Sequence, residues 1–154
     1  MILKELKNRP NINQNKKLYA FYTQFGKLLM ELRTKDLPDD TVNAINKGID
    51  KINSIAVSEK ELRKQMKKTQ TQIIKLIEKK HKLVTKNHYR NTWLAIGMAV
   101  FGIPLGVAFG TSLGNMALLG IGLPIGMAIG MGVGTGMDKK ALEEGRQLDL
   151  EIKY

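Results

Sequence analysis

The stretch "GIPLGVAFG" at residues 102–110 returns as "GLPIGMAIG" at residues 122–130. Gly, Pro, Gly, Ala and Gly recur at matching offsets, and neither copy carries a charge. Working outward, the uncharged run extends from Thr92 to Met137, 46 residues without Asp, Glu, Lys, Arg or His. One bilayer crossing takes about 20 apolar residues, so the run is long enough for two. It divides into spans near 93–113 and 117–137, with Gly114-Asn115 suited to a tight reversal between them. The run holds 12 of the chain's 15 glycines. Soluble helices avoid glycine at about 1 kcal/mol each relative to alanine, whereas membrane helices carry it more often.

The glycines are ordered. They fall at Gly102, Gly106, Gly110 and Gly114 in the first span and at Gly122, Gly126, Gly130 and Gly134 in the second. A four-residue repeat makes one smooth helix stripe, and small-residue stripes let helix backbones approach where lipid provides no hydrophobic drive. A turn near residue 115 would put Gly106 level with about residue 124, and Gly102 level with about residue 128. Gly120, Gly132 and Gly136 lie off the stripe and leave a second face open to a neighbour. Pro104 and Pro124 lie near the span midpoints, where each removes a helical hydrogen bond. They read either as matched kinks that nest two bent helices or as interruptions that line a pathway in an oligomer.

The flanks set the expected orientation. Lys86 and Arg90 precede the first span, Lys139 and Lys140 follow the second, and the turn is uncharged. The positive-inside rule then places both termini in the cytoplasm, with Tyr89 and Trp93 as interfacial anchors. The N-terminus "MILKELKNRP" has no apolar core of a secretory signal, so insertion is expected to use the internal run.

Charge is concentrated before the run. Residues 1–91 hold 21 Lys/Arg against 9 Asp/Glu, and residues 138–154 hold 4 against 5, which together give the net +11. Apolar side chains at 18, 21, 22, 25, 28, 29 and 32 mark a helix near 16–34. "KDLPDD" breaks it, and Val42, Ile45, Ile49 and Ile52 mark another near 39–53. Ser58-Glu59-Lys60-Glu61 reads as a capping box opening a helix near 59–88 that could continue into the first span. Three such helices suit a small bundle better than an intersubunit coiled coil, because no strict a/d pattern lasts three heptads. Residues 8–17 read as a loose lead-in and 138–154 as a cytosolic tail or short helix.

The chemistry classes are thin. There is no Cys, so disulfides, thiolate metal sites and thiol catalysis are excluded. No glycine window completes G-x-G-x-x-G, and no Walker motif occurs. His81 and His88 have no Cys, Asp or Glu beside them, so neither a metal nor a cofactor is expected. The aromatics Tyr19, Phe21, Tyr22 and Phe25 read as packing rather than a ligand cage. Residues 60–90 hold 11 Lys/Arg and two acids, which fits a solvated basic face or contact with anionic headgroups. Nucleic acid is disfavoured because no aromatics interleave with the basic residues.

A glycine-striped two-helix hairpin resembles the rotor subunit of ATP synthases in outline, but no carboxylate sits in either span to carry an ion. The doubled "GIPLGVAFG…GLPIGMAIG" block with charged ends resembles small bacterial glycine-zipper membrane proteins over residues 92–137. That resemblance implies a location and a packing mode only. The expected molecule is therefore an all-α membrane protein: a basic cytosolic helical domain over 1–91 and a transmembrane hairpin over 92–137. It would lie in a bacterial inner membrane. Two functions stay open. One is a non-enzymatic anchor and assembly element, homo-oligomeric or with a cytosolic protein partner. The other is an oligomeric pore of the defence-effector, toxin or holin kind.

Overall fold

The computed structural model describes residues 2–10, 12–56 and 58–153. Among the described residues the regular structure is helical apart from two paired two-residue strands, β1 (Val84–Thr85) and β2 (Gln147–Leu148). It divides into two compact units, Met1–Val84 with Leu148–Tyr154, and Thr85–Gln147.

The first unit is built on α1 (Lys16–Arg33), α2 (Asp39–Asn53) and α3 (Glu59–His81). Each helix starts where the sequence supplies a start signal. The Asn15 side chain accepts from the Leu18 amide (3.1 Å), and Ser58 Oγ accepts from the Glu61 amide (3.2 Å). Pro38 precedes α2, whose first turn carries Asp39 and Asp40. The apolar stripes meet in one core, with Phe25, Leu28, Ile45, Ile49 and Ile77 fully buried. The four aromatics do not form a cage: Phe25 is core, Arg63 lies 5.5 Å over the Phe21 ring, Tyr22 donates to the Lys7 carbonyl (3.0 Å), and Tyr19 is exposed.

Three expectations are corrected here. The third helix does not run to 88. It stops at His81, where Lys82 takes a left-handed conformation (φ 57°) and its amide turns back to the Glu78 carbonyl (3.1 Å). Asn87 is left-handed as well (φ 59°), so residues 82–87 separate α3 from the next helix.

The N-terminal segment is also more than a lead-in. Leu3 and Ile12 are buried, and Ile12–Gln14 forms a short 3-10 turn, while residue 11 lies outside the described residues. Two amides of α2 grip the extended chain ahead of it. Asn46 Oδ1 accepts from the Lys4 amide (2.8 Å) and its Nδ2 donates to the Ile2 carbonyl (3.0 Å). Asn53 does the same with the Lys7 amide (2.8 Å) and the Glu5 carbonyl (3.0 Å). The spacings match: seven helical residues rise about 10.5 Å, and three extended residues cover about 10 Å.

Residues 138–154 are not a free tail. Asp138–Glu143 continue a helix of the second unit, and Leu148 and Leu150 are buried in the core of the first. There Gln24 grips the returning chain, accepting from the Lys153 amide (2.9 Å) and donating to the Lys153 carbonyl (3.2 Å). Tyr154 lies outside the described residues. The sequence boundary at 91/92 thus follows charge, whereas the structural boundary falls at 84/85 and 147/148.

Candidate functional site: a glycine-lined helical hairpin

The second unit is a helical hairpin. Its first arm is α4 (His88–Gly97), a π-helical turn (Met98–Gly102) and α5 (Ile103–Ser112). Its second arm is a 3-10 turn (Met116–Leu118) leading into α6 (Leu119–Glu143). The arms reverse at the expected place: Gly114 is left-handed (φ +65°), and Asn115 Oδ1 caps the second arm by accepting from the Ala117 amide (3.0 Å).

The two arms touch through backbone. A Cβ added at Gly106 would lie 2.6 Å from the Leu119 carbonyl oxygen, and one at Gly126 would lie 2.5 Å from the Gly102 nitrogen. A Cβ at Gly134 would lie 2.5 Å from Arg90 Cα. Gly122 against the Gly102 carbonyl and Gly130 against the Trp93 carbonyl leave still less room. Gly102 and Gly110 are tight but less so, at 3.1 Å from the Gly122 oxygen and 3.3 Å from Met116 Sδ. No side chain fits at the tightest of these positions without moving a neighbouring main chain. Gly120, Gly132 and Gly136 have nothing within 4 Å.

Two details differ from the stripe expected. Gly114 has nothing within 4 Å; it belongs to the reversal, where its left-handed φ is the reason for glycine. Its place in the stripe is taken at the other end by Gly97, which meets the Gly126 carbonyl. Gly97 stands five residues before Gly102, and along an α-helix that step would turn it about 140° away. The π turn absorbs the extra residue: the Ile103 amide donates to the Met98 carbonyl, five residues back. The stripe then continues in four-residue steps through Trp93 to Tyr89 and Arg90. The pairing also lies closer to the turn than expected. Gly106 faces Leu119 and Gly122 rather than residue 124, because the helices run together up to Gly110 and Met116.

Pro104 follows the π turn directly, within the continuous helical arm, and has no amide to donate to the preceding turn. Pro124 lies inside α6. Tyr89, Arg90 and Trp93 are half-buried along the first arm, whereas Lys86, Lys139 and Lys140 are exposed. Lys139 and Lys140 make long ion pairs with Glu143 (3.8 Å) and Glu144 (3.9 Å).

Sequence reasoning missed the clasp at the open end of the hairpin. Asn87 makes no side-chain cap for α4. Buried Asp138 of α6 serves instead: Oδ1 accepts from the Tyr89 amide (3.0 Å) and Oδ2 from the Arg90 amide (2.9 Å). A carboxylate at a helix N-terminus satisfies orphan amides and complements the helix dipole. The only signal for it is an acid standing directly at the end of the uncharged run, ahead of Lys139 and Lys140. Beyond the end of α6, Glu144 and then Tyr89 hold the Arg146 guanidinium and raise its pKa. His81 is engaged by Thr41 Oγ1 (2.9 Å) and His88 stacks edge-on against Tyr89. Among the described residues, no group of three His, Cys, Asp or Glu is placed to hold a metal.

The side chains left outside are large and apolar: Val100, Phe101, Ile103, Phe109, Ile121, Leu123, Ile129 and Val133 are all exposed. Both arms are long and apolar enough to cross a membrane, His88–Ser112 over 25 residues and Met116–Glu143 over 28. Comparison with protein-family models, with curated proteins and with solved structures finds no match for this chain.

Proposed function

We propose that the chain is a non-enzymatic integral membrane protein whose glycine-lined hairpin anchors its basic helical unit to a bilayer. One observation carries this reading: the hairpin buries glycine backbone and turns its large apolar side chains outward. Only 22% and 17% of the most apolar windows of the two arms are buried, with mean hydropathy 1.9 in both. A soluble core helix of that composition would be mostly covered. At 1.5 Å per residue the arms measure about 37 and 42 Å, enough for a hydrocarbon core of about 30 Å. The same reading accounts for the hairpin's cohesion, since close backbone contact is what holds helices together in lipid.

In this proposal the membrane is a bacterial inner membrane. Both termini lie in the cytoplasm, because Lys86, Arg90, Lys139 and Lys140 sit at the open end and the turn is uncharged. The hairpin belongs with glycine-zipper membrane proteins by packing mode. The pore reading has one supporting observation, the free space at Gly120, Gly132 and Gly136, where a second hairpin could approach. Against it, neither span carries an ionisable group that would attract ions. Reconstitution tests both readings. An anchor resists alkaline extraction from vesicles and leaves their ion permeability unchanged. Conductance at matched protein density would replace it with the pore, and release by alkali would remove the membrane reading.

A further inference from the structure

α3 carries a lysine track along its exposed face. Lys60, Lys64, Lys68, Lys75 and Lys79 are all exposed. At 100° per residue they fall within about 100° of arc, and at 1.5 Å per residue they extend over about 28 Å. Among the described residues, none of the five makes an ion pair or a side-chain hydrogen bond. Neighbouring basic groups are already engaged: Lys80 pairs with Asp40 (2.5 Å) and Arg63 lies over the Phe21 ring. Two acids share the arc, Glu61 in the first turn and Glu78, which is half-buried and has a partner of its own.

Lys60 with Lys64, Lys64 with Lys68, and Lys75 with Lys79 are like charges four residues apart, a spacing that destabilises a helix unless an outside charge compensates. We infer that this track of α3 is a docking surface for an anionic lipid leaflet, the one into which the hairpin inserts. The inference rests on the membrane reading above. The connecting chain is short: Lys79 precedes His88, the first residue of α4, by nine residues, a reach of about 30 Å when fully extended. Lysines suit a diffuse lipid potential, being flexible point charges, whereas bidentate phosphate recognition favours arginine. The track itself holds no aromatic on which a base could stack.

The test uses the full chain in nanodiscs of phosphatidylcholine alone or mixed with phosphatidylglycerol, with amine acylation read lysine by lysine by mass spectrometry. Lys64, Lys68 and Lys75 should react several-fold more slowly in anionic discs at low salt and recover at high salt, with Lys47 and Lys51 of α2 as reference. A Lys64→Gln, Lys68→Gln, Lys75→Gln variant should lose the protection of Lys60 and Lys79. Equal rates in both discs, with the chain inserted, would overturn the docking surface and leave the membrane reading intact. Failure to enter either disc would overturn both. Protection in neutral discs by added RNA or DNA, and not by anionic lipid, would reassign the track to nucleic acid.

Discussion

The unit formed by Met1–Val84 with Leu148–Tyr154 hides Phe25, Leu28, Ile45, Ile49 and Ile77 and shows lysine. The unit Thr85–Gln147 hides Gly97, Gly106, Gly122, Gly126 and Gly130 and shows valine, isoleucine, leucine and phenylalanine. Both are helical, so on the membrane reading proposed above the contrast is one of solvent rather than of secondary structure. In water, removing large apolar side chains from solvent is the main favourable term, at about 25 cal/mol per Å². Against lipid that term vanishes, and what remains is the number of close contacts, which glycine maximises.

The contrast breaks first at the glycines. Gly126→Leu and Gly106→Leu should force the arms apart and cost about 3 kcal/mol or more, since the neighbouring atoms are main chain. Gly132→Leu should be tolerated, because nothing lies within 4 Å of it. Crosslinking across the hairpin at matched expression measures this, and equal loss at all three positions would mean that the glycine stripes are not the contact surface.

The mirror experiment is in the core of the first unit. Phe25→Ala should cost about 3–5 kcal/mol, whereas Ile129→Ala in the hairpin should cost within about 0.5 kcal/mol. Thermal unfolding in detergent would compare them, and a large loss at Ile129 would show that its side chain is packed against protein.

The polar grips come next in size. Asp138→Ala leaves two α4 amides without their acceptor and should loosen the open end of the hairpin by about 1–3 kcal/mol. Asn46→Ala should release the N-terminal segment at a cost of about 1–2 kcal/mol. Amide hydrogen exchange distinguishes these two: the first should speed exchange at Tyr89 and Arg90, the second at Lys4.

The smallest effect is at Asp40, on the surface. The Lys80 ammonium, and then the Thr41 amide (2.7 Å), hold its carboxyl below the usual carboxylate range. Its contribution is therefore full above the unfolded carboxylate pKa and is lost as pH falls through the depressed one. Asp40→Asn should flatten the acid limb of thermal stability and change little at neutral pH, because exposed pairs contribute little.

Much of this architecture was legible in the sequence, for physical reasons. Period-3.6 stripes marked α1 and α2, and the Ser58–Glu61 capping box marked the start of α3. The charge-free run, the turn at Gly114-Asn115 and the four-residue glycine steps marked the two apolar arms. What was not legible depends on contacts between distant segments. Nothing local announces that Asn46, Asn53 and Gln24 grip extended chain, or that Asp138 caps a helix nearly fifty residues earlier. The π turn at Met98–Gly102 escaped because Gly97 looks out of step until the extra residue is absorbed. The end of α3 escaped because Lys82 is not a residue that signals a left-handed cap.

The chain has no cysteine, so single cysteines can map the membrane directly. Ile129→Cys and Val107→Cys sit on outward faces of the two arms, Asn115→Cys in the turn, and Lys64→Cys on the lysine track of α3. The measurement is labelling of intact cells, and then of inverted vesicles, with a membrane-impermeant maleimide. Ile129→Cys and Val107→Cys should resist the reagent on both sides until detergent dissolves the bilayer. Asn115→Cys should react only from outside, and Lys64→Cys only from the cytoplasmic side. Rapid labelling of Ile129→Cys and Val107→Cys without detergent would contradict a membrane-spanning hairpin and mean that its apolar faces are covered by protein or meet water.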